Sequence, residues 1–306
     1  MIVAHNNTVF KLLGDPHLGR QFVNGVPLIR RGEREKMVWR DFILSFYQTA
    51  ADYHVCMGDL FDKWFVPYDL IKDVAQAYID AAKKCHFTKF VVLKGNHDWT
   101  RDLQRISAFD LFAELVKHIP NIIVVSEPMK LDGFIFIPYH PTKDTKASVQ
   151  ALLPAEVAFG HWDTAFSDHN LVPTGVGVPY LYTGHVHKKT VFARDGDTVV
   201  VVGSMQPYAH GEESDDKLYI TMDKPEGDLH NKCVRLTSPS TEPVDCLQLT
   251  VSGQKANDDS SDNTTTLGNF DIEELFREAF KEAGVSQELT DKLLDDFQTK
   301  RVKSNA

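Results

Sequence analysis

Cysteine is scarce and scattered: Cys56, Cys85, Cys233 and Cys246 show no paired or metal-type spacing. That excludes a disulfide framework and a thiolate zinc site. Cys56 lies in an apolar strand-like run, where a free thiol packs as a small hydrophobe. A reducing, cytoplasmic compartment is the expectation. No window approaches the roughly 18 apolar residues of a membrane span. Residues 1–7 lack the basic start and apolar core of a secretory leader. Basic charge is also in short supply. With 33 Lys and Arg against 43 Asp and Glu, the net charge is −10, which argues against coating nucleic acid by bulk electrostatics. The deficit is uneven, with 12 acidic and 7 basic residues between Lys255 and Ala306. One local basic stretch, Arg30-Arg31-Gly32-Glu33-Arg34-Glu35-Lys36, fits a solvated loop and helix start as well as a phosphate contact.

What is present is ordinary in amount and ordered in pattern. Hydrophobic residues make up 42% and charged residues 25% of 306 positions, enough for one large soluble domain with a small appendage. Short β-rich runs fall at 8–14, 53–58, 90–95, 122–126, 134–139, 156–160, 181–184 and 198–203. Between the early ones, 38–50, 70–84 and 107–118 carry apolar residues at helical spacing. This rhythm predicts a layered α/β domain over 1–215. A short β-rich extension follows over 216–252. Residues 253–268 are rich in Asn, Asp, Ser and Thr and nearly devoid of apolar side chains, the composition of a flexible linker. A helix pair is expected over 269–301, opened by the Asp271/Glu274 capping pattern and divided at Gly284. Ile272, Leu275, Phe276 and Phe280 share one face of the first helix, and Leu289, Leu293 and Phe297 one face of the second.

Five segments end an apolar run in glycine and continue with a polar group. They are Gly14-Asp15-Pro16-His17, Gly58-Asp59-Leu60-Phe61-Asp62, Gly95-Asn96-His97-Asp98, Gly160-His161 and Gly184-His185-Val186-His187. These sit at carboxyl ends of strands, where open α/β sheets place ligands. A glycine there lets the chain turn sharply and approach an ion closely. Carboxylates, imidazoles and one amide suit divalent cations such as Mn²⁺ or Fe²⁺, with Zn²⁺ as a further choice. A lone Asp-x-His is weak, because a single strand histidine is more often a satisfied core residue. Three polar residues behind 90–93 are costly to bury without partners, and all five segments in order weigh heavily against the structural explanation.

That order resembles the calcineurin-like metallophosphoesterase superfamily over residues 8–205. The resemblance implies an α/β fold of four αββα layers with two divalent cations, Mn²⁺ first, at the sheet edges. It implies that Asp15, His17 and His187 hold one cation, that Asn96, His161 and His185 hold the other, and that Asp59 bridges them. His97 would be the catalytic histidine that is not a ligand, oriented by Asp98, with Asp62 a supporting partner. Two cations about 3.5–4 Å apart activate water and clamp phosphoryl oxygens for in-line attack.

Finer features point to a nuclease. Asp15-Pro16-His17-Leu18-Gly19 and the segment Gly203-Ser204-Met205-Gln206-Pro207-Tyr208 with Gly211-Glu212 are similar to the SbcD-type exonuclease subunits of double-strand-break repair. The compact length resembles phage-encoded recombination nucleases, for which the compartment would be a host cytoplasm. Phosphoprotein phosphatases of the superfamily carry Gly-Asn-His-Glu with a preceding arginine, whereas this chain has Asp98 and Lys94. By resemblance, the helix pair would dock on an SMC-like (SbcC-type) ATPase. A homodimer or a fold-back onto the body would cover the same apolar faces. DNA is the expected substrate, with His210, Glu212 and Arg20 as substrate contacts and Trp64, Phe65 and Trp162 as stacking candidates. The alternative is a stand-alone phosphodiesterase or phosphatase on nucleotides or phosphoproteins.

Overall fold

The computed structural model describes residues 1–252 except 48–49, 103–104, 166, 168, 213–216 and 241–242. The expected linker and helix pair, with Ile272, Leu275, Phe276, Phe280, Leu289, Leu293 and Phe297, lie outside the described residues.

The chain opens with a hairpin, β1 (Ile2–His5) and β2 (Thr8–Leu13). Asn6 and Asn7 turn it with φ of 50° and 62°, the left-handed conformations that a two-residue hairpin loop requires. β2 pairs in parallel with β3 (Tyr53–Cys56), then β4 (Lys89–Leu93) and β5 (Ile122–Val125), giving the order β1-β2-β3-β4-β5. The crossovers are α1 (Glu33–Tyr47), α2 (Tyr68–Lys84) and α3 (Ala108–Val116). A reciprocal Ser107/Asp110 capping box sets the start of α3.

The second sheet holds β6 (Met129–Leu131), β7 (Phe134–Ile137), β8 (Val157–Gly160), β9 (Tyr180–Thr183), β10 (Thr190–Arg194) and β11 (Asp197–Val201), in the order β10-β11-β9-β8-β7-β6. Phe10, Val55, Val91 and Leu93 of the first sheet pack on Phe136, Phe159, Tyr182 and Val200 of the second. Phe42, Tyr78 and Phe112 fill the layer between the first sheet and its helices. The outer face of the second sheet is covered by Val149 of α4 (Thr145–Gln150) together with Trp162, Val172 and Val178. The mixed α/β sandwich expected from the sequence is present, with a thin fourth layer. Among the described residues no helix is long and apolar enough to cross a membrane.

A third, all-parallel sheet joins β12 (Tyr219–Met222), β13 (Cys233–Leu236) and β14 (Gln248–Val251). Met1–Asn257 forms one compact unit, and two arginines of the basic stretch tie this sheet in. Arg34 is 1% exposed, stacks over Phe22 and Tyr219, and donates to Gln206 Oε1 at 2.8 Å. Arg30 is buried against Glu33 and donates to the His230 carbonyl. Neither is solvated or free for phosphate, because each guanidinium already has acceptors or an aromatic face.

Candidate metal centre

The carboxyl ends of β2, β3 and β4 meet those of β8 and β9, and each of the five glycine-ended motifs lands at this junction. Close approach dictates the glycines. A Cβ on Gly58 would sit 2.1 Å from His161 Nδ1, and one on Gly95 would sit 2.1 Å from Asp59 Oδ1. The backbone is strained at the same place: His17, Asp59 and His185 have φ of 44°, 47° and 71°. Non-glycine residues adopt this region at a cost, and functional sites are where such strain collects.

Three overlapping groups emerge, Asp15–His17–His187, His17–Asp59–His97 and Asp59–His161–His185, each with donor atoms within 4.8 Å of one another. Asp59 Oδ2 lies 3.7 Å from His17 Nε2 and 3.4 Å from His161 Nε2, so one oxygen faces both halves of the centre. Asn96 Oδ1 lies 2.8 Å from His161 Nε2 and 2.9 Å from His185 Nδ1. The seven side chains expected as ligands are therefore gathered in one place.

Hydrogen bonds at the back of the rings test whether cations fit. His161 Nδ1 donates to the Met57 carbonyl at 2.9 Å, which turns its Nε2 toward Asn96 and Asp59. His187 Nδ1 is 3.0 Å from Glu212 Oε1, which turns its Nε2 toward His17 Nε2, also at 3.0 Å. Asp15 Oδ1 is buried with no hydrogen-bond partner. Lone pairs thus face lone pairs inside the protein, an arrangement that is unfavourable unless something positive lies between them. Without a cation a proton takes that place. Burial alone would discharge His161, but Asp59 and Asp15 outweigh it and push the ring up to about 9. Burial, reinforced by His161, pushes His185 down to about 4 and keeps it neutral. For Asp59, burial works against ionisation, yet the surrounding histidines hold its carboxyl well below the usual range. Burial raises Asp15. The residues present fit two divalent cations.

Several supporting roles differ from expectation. Asp98 does not orient His97. Its carboxylate accepts the backbone N–H groups of Leu60, Phe61 and Gly95 at 3.2, 3.1 and 2.9 Å, so it braces the turn that presents Asp59. Burial and the nearby Asp59 push it up to about 7. His97 Nδ1 instead donates to the Asp62 carbonyl at 2.7 Å, and its ring stands perpendicular to that of His17. The Asp62 carboxylate lies 3.5 Å from His17 Nδ1 and 3.7 Å from Arg20 Nη1. Glu212 is not free for substrate, since it accepts from His187 and from Tyr208 N at 2.7 Å. His210 packs edge-on to Tyr219 and meets Thr221. Arg20 sits over Tyr208, whose hydroxyl donates to the Pro16 carbonyl. Trp162 is fully buried and is a packing residue, while Trp64 and Phe65 are 41% and 59% exposed. His140 holds a turn by accepting from Thr142 N and Lys143 N.

A polar cavity of about 310 Å³ lies beside Asn96 and His185, bordered by Tyr139, Asp163, Ser167 and His169, and no sequence motif points to it. These residues come from irregular loops without a motif, so no local pattern announces them.

Residues 9–219 match the model of the calcineurin-like phosphoesterase family. No curated protein matches the chain. Among solved structures, the phosphopantetheinyl hydrolase PptH of Mycobacterium tuberculosis is similar at 15% identity, covering 65% of this chain and 93% of that one, with a TM-score of 0.37. The nuclease MPE of Pseudomonas putida is similar at 14% identity, covering 67% and 86%, with a TM-score of 0.34.

Proposed function

This chain belongs to the calcineurin-like phosphoesterase family and is a metal-dependent phosphoesterase, and from that premise we propose that it hydrolyses DNA phosphodiester bonds with two Mn²⁺ ions. The supporting observation is the single Asp59 oxygen set between His17 and His161, which suits a carboxylate shared by two cations. When bound, the cation pair supplies Lewis acidity and a nucleophile active at neutral pH. The protein's own part falls to His97. With Nδ1 committed to the Asp62 carbonyl, its Nε2 is the nitrogen left to carry a proton to the leaving oxygen. Asp98 keeps the Asp59 turn rigid, and Asp62 and Glu212 hold His17 and His187 in place.

A diester fits better than a monoester dianion. Among the described residues no Lys or Arg borders the cavity beside Asn96 and His185, and the Arg20 guanidinium is engaged by Asp62 at 3.7 Å. The oxygen- and nitrogen-rich donor set without thiolate supports Mn²⁺. We assign contact with an SMC-like ATPase to the apolar faces bearing Ile272, Leu275, Phe276, Phe280, Leu289, Leu293 and Phe297, whose spacing is amphipathic.

Linear DNA, a nitrophenyl diester and Mn²⁺ test the proposal. His97→Ala should lower cleavage of both substrates by about 10²–10⁴-fold while both cations stay bound. Removing 253–306 should spare diester cleavage and abolish ATPase binding. Diester cleavage with no action on DNA, ATPase present, would overturn the nuclease assignment and leave a stand-alone phosphodiesterase.

A further inference from the structure

The cavity beside Asn96 and His185 is more than an open flank. Its far wall is built to hold a hydrogen-bonding side chain still. His169 uses its carbonyl twice, accepting from Thr145 N at 3.0 Å and from Thr145 Oγ1 at 2.9 Å, and Thr145 is itself buried at the start of α4. The next residue, Asn170, donates from its side chain to the carbonyl of His161 at 3.0 Å and from its backbone to Ser167 Oγ at 2.9 Å. The loop is also pinned by the Asp163–Leu171 bridge. His169 is thus fixed, through Asn170, to a residue of the metal centre. Its Nε2 is nonetheless buried with no hydrogen-bond partner.

His169 borders the cavity on a backbone held by these hydrogen bonds, and a ring nitrogen bonded to nothing is a natural partner for a group that arrives from outside. Tyr139 borders the same cavity, with ring centroids 6.4 Å from His169. Burial raises its hydroxyl pKa and the charge of Asp59 adds to the effect, so the phenol keeps its proton. The wall therefore offers a phenol and an imidazole, together with Ser167 and the Asp163 carboxylate, and no guanidinium or ammonium among the described lining residues. That chemistry accepts the neutral oxygens of an ester arm, such as a sugar hydroxyl or ring oxygen. It disfavours a second phosphate charge, for which Arg or Lys is the usual partner.

We propose that His169, assisted by Tyr139, is a specificity-determining residue that binds the sugar-bearing ester arm of a phosphodiester beside the Asn96–His185 side of the centre. This rests on the phosphodiesterase assignment above and adds the element that selects diester over monoester.

The test compares thymidine 5′-(4-nitrophenyl phosphate), bis(4-nitrophenyl) phosphate and 4-nitrophenyl phosphate on the full chain loaded with Mn²⁺. His169→Ala should raise KM for the thymidine diester about tenfold with kcat within about twofold. It should raise KM for the sugar-free diester less, and leave the monoester unchanged. Tyr139→Phe should give a smaller loss in the same direction. His169→Gln, which keeps an N–H donor, should recover part of the affinity. Manganese content and the melting temperature should not move. Equal losses on all three substrates, a fall in manganese content, or no change in KM would each overturn the assignment. If the unaltered chain cleaves monoester but neither diester, the phosphodiesterase assignment itself fails, which is a separate outcome.

Discussion

The two halves of the metal centre hold their imidazoles by different means. Behind His187 stands the Glu212 carboxylate at 3.0 Å, and behind His17 the Asp62 carboxylate at 3.5 Å. Behind His161 the hydrogen-bonding partner is a peptide carbonyl, that of Met57 at 2.9 Å, with the Asp15 carboxylate farther off at 3.9 Å from the same nitrogen. A carboxylate behind a metal-bound imidazole both fixes its tautomer and strengthens it as a ligand, whereas a carbonyl does mainly the first. The direct donors differ in the same sense. Asp15 serves the His17–His187 half and the neutral amide of Asn96 serves the other, with Asp59 common to both. One half is richer in carboxylates, and the other is poorer in them and borders the cavity beside Asn96 and His185. Asp15, His17 and His187 would hold the more firmly anchored cation, and Asn96, His161 and His185 the one that would polarise the substrate. The first half is expected to fill at the lower Mn²⁺ concentration.

Removing what the halves share has the largest effect. Asp59→Asn should cost about 10³-fold or more in kcat/KM on a nitrophenyl diester, about 4 kcal/mol of transition-state stabilisation, and should weaken both cations. Metal analysis after gel filtration reads this directly. One cation retained at full occupancy would show that Asp59 serves a single half.

The comparison sharpens with a change confined to one side. Glu212→Gln keeps the shape but removes the charge behind His187, and should weaken one of two Mn²⁺ binding steps by about 10–100-fold. Calorimetric titration should resolve that step from an unchanged second one. Equal weakening of both steps would abolish the distinction between the halves.

How much of this was legible beforehand follows from how local each signal is. The glycine-ended motifs declare themselves because a strand, its terminating glycine and the ligand are consecutive in sequence. The central strands were legible from their apolar runs, while β1, β6 and β10 were not, being short and only partly buried. Supporting contacts are less legible, since sequence distance says nothing about which way a side chain swings. Asp98 adjoins His97 yet turns into the Asp59 loop, and the group that orients His97 is a backbone carbonyl 35 residues away. Glu212 and His210 stand two residues apart, but only Glu212 reaches the centre, while His210 turns onto Tyr219. Those choices belong to tertiary packing, which no spacing rule encodes.

The smallest expected effect separates the centre from the rest of the molecule by pH. In the metal-free chain His161 is raised to about 9, above the unfolded value of about 6.5. Its contribution to stability is then fully present below about pH 6.5 and is lost as pH rises toward 9. His54 behaves oppositely. Burial, followed by the charge of Lys11, pushes it down to about 3, so its contribution is present above about pH 6.5 and is lost as pH falls toward 3. Cations held by His161 would take the place of its proton and would leave His54 untouched, because His54 packs against Phe46 and Phe90, outside the ligand groups. Thermal melts should therefore show an alkaline decline between about pH 6.5 and 9 in chelator that disappears in saturating Mn²⁺, with an acid decline that Mn²⁺ does not alter. An alkaline decline that persists with both cations bound would mean that His161 keeps its proton beside the metal, and the ligand role given to its Nε2 would have to be withdrawn.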